Sequence, residues 1–263
     1  MGNSAKTLAI ANRKGGCGKT MTSVSLAAGL ARNGKRVLCI DADSQGSLSV
    51  SFGVAEPDKL TNTLATALMH IVNEQDCDPL MGVVHHSEGI DLLPANSNLA
   101  ALEISLAGII GRETVLRQYI EKVKPLYDFI ILDTAPTLDL LTINALAAAD
   151  SVIIPVCPKF LDAKGLELLL KSVAQIRRQI NPSLEIGGIL LTMVDRRANF
   201  TREVIASIDK AYGGKITIFA ESVPRSVRAA ESSANGVSIF QHDPNGKVAA
   251  AYSALVEGVL NCG

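Results

Sequence analysis

Seven short apolar runs recur along the chain, at residues 7–12, 36–41, 90–94, 129–133, 151–156, 186–193 and 216–219. They are rich in Val, Ile and Leu and are apolar on both faces, the pattern of strands covered by helices on each side. Between them, residues 20–33, 139–148, 161–180 and 199–212 follow the period of amphipathic helices. This alternation predicts an α/β fold: a doubly wound, mostly parallel sheet with helices on both faces. The stretch 52–88 is the least regular. It holds Pro57, Pro79 and the pair His85-His86, and reads as a short helix around 63–72 with loops. With no repeat, low-complexity tract or linker, residues 1–263 are expected to form a single domain, long enough to bury roughly 75% of the unfolded surface.

Crossovers in such a sheet bring the strand C-termini to one edge, where ligands bind. Three polar signatures follow predicted strand ends and would meet there. The first is residues 12–22, Asn-Arg-Lys-Gly-Gly-Cys-Gly-Lys-Thr-Met-Thr. It departs from G-x-x-x-x-G-K-[ST] only at its first glycine, where Arg13 stands. Gly15, Gly16 and Gly18 allow successive N–H groups to turn around phosphate oxygens, and a helix starting near Lys19 adds its N-terminal dipole. Lys19 would offset phosphate charge and the Thr20 hydroxyl would ligate Mg²⁺. The competing reading is a plain strand-to-helix turn.

The second signature is Asp41-Ala42-Asp43-Ser44-Gln45, in which alternation puts the two carboxylates on one side. The third is Asp133, closing the apolar run Phe129-Ile130-Ile131-Leu132 in the manner of a Walker B strand that holds Mg²⁺ through water.

Lys14, a second lysine inside the loop, gives the chain a deviant Walker A arrangement. Together with Asp41-x-Asp43-x-Gln45, residues 141–146 and residues 243–252, it makes the sequence resemble ParA-type (Soj-like) DNA-partition ATPases of the ParA/MinD class. The resemblance runs from Thr7 to Leu260. It implies a P-loop ATP hydrolase in which Lys14, Lys19 and Asp43 are catalytic, Lys14 reaching in trans to a partner's nucleotide and Asp43 positioning the attacking water. The implied ATP/ADP site comprises Lys14, Gly15, Gly16, Cys17, Gly18, Lys19, Thr20, Met21, Asp41, Thr192 and Pro224. Thr20, Asp41 and Asp133 would surround Mg²⁺, with Asp41 also touching the loop lysine. The implied partners are a second copy of the chain (an ATP-dependent homodimer), nonspecific double-stranded DNA and a ParB-type centromere-binding protein.

Composition narrows these expectations. The net charge is -1, so a whole-chain basic signature for nucleic acid is absent. Residues 164–247 nevertheless carry 12 Lys/Arg against 8 Asp/Glu, whereas the rest carries 13 against 18. Any DNA surface is therefore local. By resemblance it involves Arg197 and Arg228, helped by Arg196, Arg225, Arg202 and Lys247, although pairing with acids such as Glu203 and Glu231 competes with that role. Phosphate neutralisation of this kind needs charge but no base readout.

The five cysteines are widely spaced and imply reduced thiols in a reducing compartment; with that, the resemblance implies a cytoplasmic, nucleoid-associated protein. Cys17, next to Lys14, Lys19 and the helix N-terminus, would have a lowered pKa if they approach it, but is read as a structural residue. No run of about 20 apolar residues is present, and the tail 255–263 has no Lys or Arg. No membrane partner is expected; together with the C-terminal arginines this disfavours the alternative of a MinD-like or cargo-positioning ATPase acting on a membrane or protein scaffold.

Overall fold

The computed structural model describes residues 5–158, 162–195 and 198–261. Its strands are β1 (Lys6–Ile10), β2 (Val37–Ala42), β3 (Val84–His86), β4 (Ile90–Leu93), β5 (Phe129–Thr134), β6 (Ser151–Val156) and β7 (Glu185–Leu191). They form one sheet in the order β3-β4-β2-β5-β1-β6-β7. Each neighbouring pair is parallel except β3 with β4.

Helices cover both faces. On one lie α1 (Lys19–Arg32), α2 (Ser47–Ser51), α10 (Ile239–His242) and α11 (Lys247–Asn261); Val24, Leu48, Phe240 and Tyr252 pack there with the strand residues Leu8, Ile10, Cys39 and Ile131. The other face carries α3 (Leu64–Val72), α4 (Asn98–Leu106), α5 (Val115–Val123), α6 (Leu140–Ala148), α7 (Asp162–Gln179) and α8 (Asn199–Tyr212), whose cluster takes Ala9, Ile40, Ile130 and Leu132. Adjacent residues of a strand thus feed opposite cores, which is why the runs are apolar at successive positions. One further helix, α9 (Val227–Ala234), precedes α10.

Two expectations need correction. Residues 216–219 do not form a strand; Ile218 makes a single parallel bridge to Ile189. The pairing between β6 and β7 is irregular at Val152/Ile153, and Gly188 takes φ 150 under the Phe219 ring, so the edge bends away before a ladder can extend. The stretch 52–88 contains the expected helix α3, but it also contains β3, which carries both histidines and pairs antiparallel with β4. Gly89, at φ 77, permits the tight return between them. Three residues, two of them His, leave too little apolar pattern for a strand to be read.

Candidate nucleotide site

The three polar signatures converge at the C-terminal edge of β1, β5 and β2. Asp133 of β5 stands in register with Ile10 on one side and Asp41 on the other. Period-two alternation puts Asp133 with Ile131, and Asp41 with Cys39, on the face covered by α1 and α2. The first turns of those helices meet them. Thr20 Oγ1 donates to Asp133 Oδ2 at 2.8 Å and Ser23 Oγ donates to Oδ1 at 2.7 Å. Ser49 of α2 donates to Asp41 Oδ2 through its N–H at 2.8 Å and its Oγ at 2.7 Å, while the Asp43 N–H donates to Oδ1 at 3.2 Å.

Burial raises both carboxylates: Asp41 to about 7, pushed further by the neighbouring Asp133 charge, and Asp133 to about 6, held down in part by Ser23, Thr20 and Lys19. Two acids near neutrality, side by side and buried, form a place where added positive charge is strongly favoured.

The glycine-rich loop leaves β1 at Asn12, whose Nδ2 donates to the Pro155 carbonyl at 2.6 Å and whose Oδ1 receives the Lys14 N–H at 3.1 Å. Gly16 and Gly18 take φ 67 and 84, conformations that L side chains rarely adopt. A Cβ placed on Gly15 or Gly16 would meet nothing within 4 Å, so the loop faces open space. Gly18 then starts α1 with no side-chain cap and no acidic residue in the first turn. The leading N–H groups of a helix have no partner within it, so here they are left for an anion.

Lys19 is buried, and its Nζ rests on the Lys14 carbonyl at 3.2 Å. The hydrogen bonds of Asp41 run to Ser49 and Asp43; the expected Asp41–Lys19 contact is not among them. Asp43 is buried, with Oδ1 receiving the Gln45 N–H at 3.0 Å.

A cleft of about 1450 Å³ opens beside the loop, lined by Gly18, Met21, Thr192, Pro224, Arg225 and Tyr252 among others. Thr192 Oγ1 donates to the Cys17 carbonyl at 2.7 Å, tying the end of β7 to the loop. Met193 takes φ 52, rare for a residue with a side chain. Val194 fixes it from beyond by bridging to Pro224 and donating its N–H to the Val223 carbonyl at 3.0 Å. On the far wall, Tyr252 is fully buried with its hydroxyl 3.3 Å from Thr22 Oγ1.

The cleft and the loop therefore bring together the sequence-derived residues from Lys14 to Met21 with Thr192 and Pro224. Ser23 and Ser49 were missed. Small polar residues on helix faces that otherwise point into a core were the available signal.

Cys17 sits as a buried thiol, without the lowered pKa that its two lysine neighbours could have given it. Burial raises its thiol pKa, outweighing the pull of Lys19, and Sγ donates to the Lys14 carbonyl at 3.2 Å. Arg225 lines the cleft, and Arg228 of α9 is exposed and pairs with Glu231 at 3.4 Å. Arg196 and Arg197 lie outside the described residues. No group of three or more His, Cys, Asp or Glu among the described residues could hold a metal ion by itself.

Residues 5–186 match the AAA domain family AAA_31. The chain is 39% identical over 256 residues to the sporulation initiation inhibitor protein Soj of Bacillus subtilis, covering 97% of this chain and 98% of that one. It is 38% identical to the chromosome-partitioning ATPase Soj of Thermus thermophilus, covering 97% and 95%. Among solved structures, cobyrinic acid a,c-diamide synthase from Mycobacterium smegmatis with bound ADP and magnesium superposes with TM-score 0.84 at 33% identity, covering 98% of this chain and 94% of that one.

Proposed function

The chain belongs to the ParA- and Soj-type family of partitioning ATPases, and from that membership and its site we infer that it is a Mg²⁺-dependent ATP hydrolase that moves DNA. One observation carries the reading: the open glycine loop, the uncapped start of α1 and the acids Asp41, Asp43 and Asp133 share one edge of the sheet.

The residues fit nucleotide and metal. Loop N–H groups and Lys19 hold the β- and γ-phosphates, and the cleft by Thr192 and Pro224 takes the base. Thr20 ligates the ion directly and Asp133 through water, which suits a small cation that keeps several waters. Bound Mg²⁺ supplies charge neutralisation across the phosphates. Asp43 orients the attacking water, and Asp41 sets the loop that carries Asp43. Ser49 in turn fixes Asp41.

Hydrolysis is expected to be slow in a lone protomer, because Lys14 of each protomer serves the other's nucleotide in an ATP-dependent homodimer. That dimer binds nonspecific duplex DNA through Arg228, Arg225, Arg196 and Arg197. A ParB-type centromere-binding partner stimulates turnover, and the protein works in the cytoplasm on the nucleoid. Among the described residues no helix is long and apolar enough to cross a membrane.

Duplex binding measured with ADP, with ATP and without nucleotide, over a salt series, tests this reading. Binding that requires ATP, weakens steeply with salt and has a shallower salt slope in Arg228→Ala supports it. ATP-dependent dimers that ignore DNA at every salt concentration overturn it in favour of a protein or membrane cargo.

A further inference from the structure

The loop that carries Asp43 is mechanically joined to the helix that carries Arg228. Ser49 locks α2 to the buried Asp41, and its Oγ also receives the Ala95 N–H at 3.0 Å. Immediately after α2, Gly53 takes φ 81 and lies against Gly236, which takes φ 66 just after α9. A Cβ added to Gly236 would stand 2.6 Å from Gly53 Cα and 2.9 Å from its nitrogen, so the two backbones are in direct contact.

Two side chains of the β3–β4 hairpin clamp this contact. The Glu88 N–H donates to His86 Nδ1 at 3.2 Å, which leaves Nε2 as the ring's donor, 3.1 Å from the Gly236 carbonyl. The His86 ring meets Phe52 edge to face, with centroids 5.1 Å apart. Glu88 grips the chain beyond α9, accepting the Ser238 N–H at 2.8 Å and the Ser238 hydroxyl as well. At its other end α9 lines the cleft through Val227, Ala229 and Ala230, and it exposes Arg228. One end of α9 is therefore fixed to α2, and the other reaches the base cleft and the surface.

We propose that Glu88 and His86 are positioning residues that hold the Gly53–Gly236 contact as a rigid strut, through which the Asp41–Gln45 loop sets α9 according to whether a γ-phosphate is present. This rests on the nucleotide reading above and adds the route by which the site governs the arginine-bearing surface. A shift of the loop on binding a third phosphate carries α2 with it, because Ser49 cannot leave Asp41 without stranding a buried carboxylate. Two touching backbones have no side chain to absorb that shift, so it passes to α9.

Amide hydrogen exchange of residues 228–236 in the full chain, with Mg-ADP and with a Mg-bound non-hydrolysable ATP analogue, tests the strut without DNA. The wild type is expected to differ between the two by about tenfold or more in α9 exchange rate. In Glu88→Gln and His86→Ala that difference should fall to about twofold or less, while basal ATP turnover stays within about twofold of wild type. Gly236→Ala, which separates the backbones, should do the same by a different route. Equal α9 exchange with the two nucleotides in the wild type overturns the proposal, as does an undiminished difference in the variants. Loss of DNA binding in the wild type with α9 still responsive would instead reject the DNA reading and leave the strut standing.

Discussion

Asp41 and Asp133 bind protons more tightly in the folded chain than in the unfolded one, because burial disfavours their charge. Between the ordinary value of 3.8 and the raised values of about 7 and about 6, the folded state holds more protons, so stability falls as pH rises through that window. The nucleotide-free protein should therefore show a Tm that declines from about pH 4 toward about pH 7, and Asp41→Asn should flatten the decline. Thermal melts of both proteins at matched ionic strength check this; equal slopes would count against a buried, raised Asp41.

Thiol labelling is a second check at this scale. Cys17, Cys39 and Cys157 are buried, whereas Cys77 is partly exposed. Mass spectrometry after brief alkylation should find Cys77 modified well before those three. That the glycine-loop lysine and threonine and the acids would meet at one edge of the sheet was legible in the sequence, because each lies at or just after a strand end. The environment of Cys17 was not, since the side chains that bury it come from distant parts of the chain.

At the scale of elements, α1 and α11 meet at Gly29. A Cβ there would come 2.4 Å from Val256 Cγ2 and 3.2 Å from the Phe240 ring. Gly29→Ala should cost about 1–3 kcal/mol by overpacking, despite alanine's better helix propensity, and denaturant unfolding would show it as a lowered midpoint. A gain in stability would mean that the two helices can move apart. Most of the strands were legible because burial on both faces gives each a continuous apolar run. The run at 216–219 misled because a segment held by a single bridge packs Ile216, Ile218 and Phe219 against the cores just as a full strand would. β3 escaped notice because its register comes from β4 and the turn at Gly89, neither of which appears as hydrophobic patterning.

Over the whole molecule, the proposed nucleotide site draws on segments far apart in sequence: residues 12–23, the acids Asp41 and Asp133, and the cleft wall from Thr192 to Tyr252. A ligand that joins these segments stabilises all of them together, by about 2.7 kcal/mol at a free concentration 100 times Kd. Mg-ADP should accordingly raise the Tm of the wild type in a single transition. Lys19→Ala should lose most of that rise while keeping its nucleotide-free Tm near the wild-type value. Two separate transitions would show instead that the cleft wall melts apart from the sheet.

The hydroxyl contact between Thr22 and Tyr252 spans 230 positions of the chain. On a ribosome adding roughly 5–20 residues per second, Thr22 is made on the order of 10–50 s before its partner exists. Throughout that interval the glycine-rich loop can be complete while the cleft beside it lacks its far wall. A nascent chain therefore lacks the wall that Tyr252 gives the cleft until α11 has emerged and docked, so tight nucleotide binding is expected only after that point.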